Sequence, residues 1–307
     1  MTKASVVRAS ELIKNFDDVR ALNELTLDIE PGIFGLIGPN GSGKTTFLRI
    51  LLGLIRPNAG TAEVLGMQVD KESLQIREKL GVLHERPTYP TRLTPLRFLH
   101  RVRDIYGTDK DPEDLLELVG LSSASHRRIG DLSAGMTQRL GIAQALIGQP
   151  ELVLLDEPTS NLDVVGRDEI AQLIMELHAN LGVSFIVASH VLSELDRICD
   201  SVAFIRDGSV LEQGRTLDLI AQYTTNRYRV KTDNPQQLAP ILEKTAQFNN
   251  VRIVGRIAVT LSSNLETTAD LEQVVRSAIS HSEIKIYDVI RANSLEDIYM
   301  EVMTNAT

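Results

Sequence analysis

The chain has 307 residues, 43% apolar and 24% charged, with a formal charge of −9. At about 100–200 residues per domain this length fits two domains, and the composition excludes collagen, coiled coil and wholesale disorder. Residues 226–307 carry 9 basic and 10 acidic side chains, so the acidic excess lies in the first 225 residues. That argues against nucleic acid as a partner, because phosphate backbones are bound by clustered Lys and Arg.

In chain order, the opening MTKASVVRASELIK lacks the apolar core of a secretory leader, and the chain is expected to remain inside the cell. Ile33–Ile37 (IFGLI) reads as a short buried strand, Gly38–Gly43 as a loop, and Thr45–Leu52 as a helix opened by hydroxyl residues. Leu152–Leu155 and Ser184–Ala188 read as further buried strands. Alternating apolar runs and helical segments to about residue 220 predict a predominantly parallel α/β fold. The apolar runs Ile50–Ile55 and Val183–Ala188 fall well short of the roughly 20 residues that cross a bilayer. The lone Cys199 cannot form an internal disulfide and reads as a small buried hydrophobe in a reducing compartment.

After Gly214 the character changes. Tyr228–Val230, Val251–Val254, Ile257–Leu261 and Ile284–Val289 read as strands, with helices near 235–247 and 267–280 and a last helix near 294–303. The order β-α-β-β-α-β predicts a small α+β, ferredoxin-like domain. The expected domains are therefore 1–220 and 221–307.

Gly38-Pro39-Asn40-Gly41-Ser42-Gly43-Lys44-Thr45 matches the phosphate-loop pattern G-x-x-x-x-G-K-[ST] in its required strand–loop–helix context. Glycines let successive backbone N–H groups face one anion, and the following helix adds its positive end. Lys44 supplies a cation for the β and γ phosphates, and Thr45 a hydroxyl ligand for Mg²⁺. In Leu152-Val153-Leu154-Leu155-Asp156-Glu157-Pro158, two carboxylates end an apolar strand. Alone such a pair is a solvated turn. Beside a phosphate loop, Asp156 can hold Mg²⁺ and Glu157 can accept a proton from an attacking water. His190 follows the strand SFIVAS, 33 residues after Glu157. A lone histidine is commonly structural, but the carboxyl end of a parallel strand is where open α/β sheets build their sites.

These pieces together resemble the ATP-binding cassette of ABC transporters, over about residues 5–220. Leu132-Ser133-Ala134-Gly135-Met136 is similar to the LSGGQ signature, with Ala134 and Met136 as substitutions. The resemblance implies that Ser133 and Gly135 meet a γ-phosphate across a dimer interface. It also implies a D-loop at Ser160-Asn161-Leu162-Asp163, a switch role for His190, and nucleotide contacts along Gly38 to Thr46, Thr46 included. Phe16 falls where the family stacks an aromatic on adenine, although a single Phe near a strand end is as often core. Leu83-His84-Glu85 carries Glu85 where most of the family has Gln; the carboxylate can still ligate Mg²⁺ but adds negative charge.

Glu85 and the segment Asn293-Ser294-Leu295-Glu296-Asp297-Ile298-Tyr299 resemble the exporter branch whose permease is a separate ABC-2-type membrane protein. Ser294 with Asp297 reads equally as an ordinary helix cap. The resemblance implies an ATPase using ATP and Mg²⁺, a second copy of the chain closing each site, and a permease partner contacted by a helical subdomain about 86–150, beginning near Arg86. The chain would be cytoplasmic and peripheral on the inner face of the membrane. A soluble ABC-type ATPase acting on translation or DNA repair is the competing reading; such proteins tend to carry two cassettes, coiled-coil insertions or zinc modules, which this sequence lacks.

Overall fold

The computed structural model describes residues 4–224, 226–254, 256–265, 267–280, 282–292 and 294–305; Met1–Lys3 and Asn293 lie outside the described residues. The chain divides into two compact units, Met1–Thr216 and Leu217–Thr307. In chain order the first begins with β1 (Val7–Phe16), β2 (Val19–Ile29), β3 (Ile33–Ile37), α1 (Lys44–Leu51), β4 (Ala59–Val64), β5 (Met67–Gln68), α2 (Ser73–Glu78) and β6 (Leu80–Leu83). Helices α3 (Pro95–Tyr106), α4 (Pro112–Leu118) and α5 (Ala134–Leu146) follow. Next come β7 (Leu152–Asp156), α6 (Val164–Leu181), β8 (Ser184–Ser189), α7 (Leu192–Ile198), β9 (Ser201–Arg206) and β10 (Ser209–Arg215). Helix α8 (Thr216–Thr224) begins at the boundary.

Six strands form the central sheet in the order β10-β9-β3-β8-β7-β6. All are parallel except β10, which returns antiparallel beside β9. Strands β3, β7 and β8 are buried at every residue, which explains their near-continuous aliphatic sequences: a parallel strand covered on both faces has no polar side to show. Phe34, Leu36, Leu154 and Ile186 each lie at 1% exposure or less in one core, where burying a side chain of this size stabilises by about 1.5–3 kcal/mol.

A second, antiparallel sheet, β2-β1-β4-β5, was not predicted. Its long hairpin β1–β2 breaks the period-2 pattern with register shifts between Ala9 and Leu12 and again between Leu12 and Asn15. Glu11 and Glu24 there take φ values of 50° and 53°, so the alternation that marks a strand is interrupted. The helical segment also begins later than expected. Pro87 and Pro90 keep the chain extended after Glu85, and α3 starts only at Pro95, where Thr94 Oγ1 accepts from the Arg97 amide at 3.3 Å. Among the described residues no helix is long and apolar enough to cross a membrane.

In the second unit β11 (Arg227–Thr232), α9 (Pro235–Glu243), β12 (Phe248–Val254), β13 (Ala258–Ser263), α10 (Thr268–Ala278) and β14 (Ile286–Arg291) precede α11 (Leu295–Asn305). The sheet order is β12-β13-β11-β14, every neighbour antiparallel, which is the split β-α-β arrangement. Leu238 and Leu242 of α9 and Leu271 and Val275 of α10 share one core with Tyr228, Val230, Val259 and Leu261 of the sheet. The last strand starts at Ile286, two residues later than its sequence suggests; Ile284 is nonetheless buried. Ser294 and Asp297 cap α11 reciprocally, with Ser294 Oγ 2.7 Å from Asp297 Oδ2 and the Ser294 amide donating to that carboxylate at 3.2 Å.

Candidate active site

Three consecutive strands of the central sheet deliver the predicted site to one edge. The phosphate loop leaves β3, His190 leaves β8, and Asp156 and Glu157 leave β7, in the spatial order β3-β8-β7. Asp156 is paired with Ala188 across the sheet, so each strand's exit lies beside the next. This is the carboxyl edge at which parallel α/β sheets bind ligands.

The loop is shaped by close backbone approach. A Cβ on Gly38 would lie 2.3 Å from the Ile205 carbonyl, and one on Gly43, at φ +107°, 2.6 Å from that of Ala21; glycine alone fits. Gly43 caps α1 without any side-chain hydrogen bond, leaving the first amides and the positive end of the helix facing the cleft. Lys44 is only 5% exposed. Its Nζ donates to the carbonyls of Gly38 at 2.7 Å and Pro39 at 3.3 Å and lies 3.4 Å from Glu157 Oε1. A cleft of about 410 Å³, within the size range of small-molecule sites, is lined by Val19, Arg20 and Ala21, by Asn40 to Thr46, and by Glu85 and Glu157.

Thr45 Oγ1 donates to Asp156 Oδ2 at 2.9 Å. The other oxygen, Asp156 Oδ1, is buried without a hydrogen-bond partner, as is Ser42 Oγ. Burial, ahead of the charges of Glu157 and Glu85, raises the Asp156 carboxyl above its usual range, against the Thr45 hydrogen bond. A buried carboxylate with one idle oxygen beside a hydroxyl suits Mg²⁺, which takes one or two protein oxygens and completes its shell with phosphate and water. No cluster of three His, Cys, Asp or Glu that could hold a metal occurs among the described residues, so phosphate oxygens would have to supply part of the shell. Glu85, about half exposed, faces the same cleft and lies 3.5 Å from Arg86.

Glu157 takes φ +51°, a conformation rare outside glycine, with its amide bonded to the Ala188 carbonyl at 2.8 Å. The turn aims its carboxylate at both neighbours: Oε1 toward Lys44 and Oε2 at His190 Nδ1, 2.8 Å away. His190 is half exposed, so the rest of its ring stays open to a ligand.

Phe16 is 43% exposed at the end of β1, with Lys14 Nζ 5.0 Å above its ring; the core alternative is thereby discarded. It pairs with Val19, whose strand lines the cleft. Ser133 and Gly135 are not gathered here. Ser133 caps α5, its Oγ accepting from the Met136 amide at 3.2 Å, and both residues lie apart from the cleft lining. A Cβ on Gly135 would meet nothing within 4 Å, so the chain's own packing does not require glycine there. Cys199 is buried, which pushes its thiol well up. Sequence reasoning missed Val19, Arg20 and Ala21. They carry no motif, and what brings them to the loop is a distant tie, the Asn23 amide to the Gly208 carbonyl at 2.9 Å.

A family model described as ABC transporter matches residues 22–160. The bacitracin transport ATP-binding protein BcrA of Bacillus licheniformis is 36% identical over 308 residues, 99% of each chain. The uncharacterized ABC transporter ATP-binding protein YxlF of Bacillus subtilis is 32% identical, with 95% of this chain and 97% of that one covered. Among solved structures, cbiO1 from Clostridium perfringens, part of the ABC transporter complex cbiONQ, superposes with a TM-score of 0.64 at 26% identity, covering 72% of this chain and 92% of that one.

Proposed function

The chain belongs to the ABC transporter family of ATP-binding subunits, and from that premise we propose that it hydrolyses ATP with Glu157, His190 and Lys44 as the reacting groups and drives a separate exporter permease. The observation that carries the assignment is the meeting of these three side chains at Glu157, 3.4 Å from Lys44 and 2.8 Å from His190, with the Thr45–Asp156 pair formed by the residues adjacent in sequence.

ATP places its phosphates on the amides at the start of α1, and Lys44 exchanges the Gly38 and Pro39 carbonyls for phosphate oxygens. Thr45 and Asp156 Oδ1 would hold Mg²⁺, which when bound would neutralise charge on the transferring phosphoryl group. Glu157 accepts a proton from the water attacking in line, and His190, anchored through Nδ1, presents its other nitrogen to the γ-phosphate. Phe16 and Val19 receive the adenine side of the nucleotide.

The exposed Ser133 and the unobstructed Gly135 support a site completed by a second copy, because a glycine with nothing of its own chain nearby suits a close approach by another molecule. A C₂ homodimer supplies both halves twice. The likeness to a bacitracin transport subunit and the segment from Ser294 to Tyr299 support an exporter with an ABC-2-type permease, the chain lying peripherally on the cytoplasmic membrane face. Steady-state ATPase assays of the wild type and Glu157→Gln, with co-purification from membranes, test this reading. Turnover abolished by the substitution and recovery with a polytopic membrane protein are expected; near wild-type turnover in Glu157→Gln contradicts the base assignment.

A further inference from the structure

Beyond the reacting groups, a buried carboxylate joins the two strand exits that bear them. Glu194 lies in the first turn of α7, four residues after His190, and its side chain is 10% exposed. It accepts a hydrogen bond from Thr159 Oγ1. Thr159, two residues after Glu157, is itself 4% exposed. The second carboxylate oxygen lies 3.7 Å from Arg167 Nε, which donates to the Leu162 carbonyl at 2.9 Å. One side chain therefore spans from the helix behind His190 to the turn behind Glu157, and through Arg167 to residue 162.

Buried Leu195 and Ile198 seat the body of helix α7, whereas its start lacks a side-chain cap. Val191 at its N-terminus offers no side-chain cap, and its amide is held by Ser189 Oγ at 3.0 Å. An apolar side chain could fill the place of Glu194 without the desolvation that burial imposes on a carboxylate. That desolvation raises the Glu194 carboxyl above its usual range, and the charges of Glu157 and His190 also reach it.

We infer that Glu194 is a positioning residue: by binding Thr159 it fixes the turn after Glu157 against the helix that follows His190, and so holds His190 Nδ1 at hydrogen-bond distance from Glu157. The inference rests on Glu157 and His190 being the reacting pair. Its effect falls on the chemical step, because ATP binds chiefly to the phosphate loop on β3, which Glu194 does not touch.

The test uses the full chain with steady-state ATPase kinetics and thermal unfolding on Glu194→Ala, Glu194→Gln, Thr159→Val and the Glu194→Ala/Thr159→Val double variant, with Glu157→Gln as control. A small displacement of reacting groups is felt strongly, so Glu194→Ala is expected to lower kcat about tenfold or more while KM for ATP stays within about twofold. Glu194→Gln keeps the acceptor for Thr159 and restores most of kcat; Thr159→Val matches Glu194→Ala, and the double variant is no worse than either. Wild-type kcat in Glu194→Ala, a glutamine variant as impaired as alanine, or additive losses in the double variant would overturn the inference. If Glu194→Ala does not fold, Thr159→Val with wild-type kcat overturns it alone. An active Glu157→Gln would instead remove the reading beneath it, whereas an inactive control beside a fully active Glu194→Ala removes the positioning role only.

Discussion

In the first unit, Lys44, Asp156 and Glu157 lie buried, Asp156 Oδ1 and Ser42 Oγ have no partner, and Glu157 sits at φ +51°. In the second, the half-buried charges are paired, Arg227 with Glu301 and Arg229 with Asp297 and, at 3.4 Å, with the exposed Glu296, and of these groups Arg229 Nε alone is buried without a hydrogen-bond partner. Tyr228 donates its hydroxyl to the Leu265 carbonyl at 2.5 Å, and α9, α10 and α11 each carry a side-chain cap. Polar groups satisfied in place stabilise a fold; polar groups buried without satisfaction are kept where a ligand will complete them. The first unit therefore carries the chemistry, and the charge pairs of the second carry its own cohesion.

The contrast is broken most directly by substitutions that separate activity from stability. Removing Lys44 (Lys44→Ala) takes away a donor aimed at developing phosphate charge, and turnover should drop by about 10²–10³-fold or more. Because Lys44 is buried against Glu157, the unfolding midpoint without nucleotide is measured on the same variant and turnover is compared below the transition, so that lost chemistry is separated from lost folding. In the second unit Arg229→Met removes the cation paired with Asp297, which keeps its hydrogen bonds from Ser294, and should cost that unit about 1.5–3 kcal/mol in urea unfolding. The ATPase rate, measured below the unfolding transition, should stay near that of the wild type.

Asp156→Asn sharpens the contrast within a single residue. Because burial raises the Asp156 carboxyl in the folded chain, the folded state holds that proton more tightly than the unfolded state. Its destabilising effect is absent below the ordinary carboxylate range and grows as pH rises through the raised value. The asparagine variant should therefore have a higher unfolding midpoint than wild type at pH 7 without nucleotide, an advantage that fades at acid pH, while losing Mg²⁺-dependent turnover. Equal midpoints at both pH values would remove desolvation as the cause. The smallest expected effect is at Tyr89, packed edge-on against Phe98 with ring centroids 5.3 Å apart. Burial pushes its phenol up to about 12, so stability should fall as pH rises from about 10, the ordinary phenol value, toward that value. Tyr89→Phe should flatten this fall in unfolding midpoints measured across that range.

What the sequence made legible was local. The phosphate loop, the Asp156–Glu157 turn and the strands IFGLI, LVLL and SFIVAS announce themselves through glycine spacing and unbroken aliphatic runs, and the order of their strands brings Lys44, Glu157 and His190 together. The hairpin β1–β2 stayed hidden because its bulges break the alternation by which a strand is read. Arg20 and Ala21 are set beside the cleft with the help of ties to residues some 185 positions away, such as the hydrogen bond from Ser209 to Asn23, which no local pattern encodes. The role of Glu194 is invisible for the same reason: its partners Thr159 and Arg167 are 35 and 27 positions distant.

The central claim is that the first unit is half of an ATP site, completed by Ser133 and Gly135 of a second copy. Light scattering on Glu157→Gln with ATP and Mg²⁺ tests it most directly, since a site that binds but cannot turn over holds the closed form. A species of twice the chain's mass that reverts to single mass when ATP is withdrawn is the predicted result. A chain that remains monomeric at saturating ATP would contradict the account.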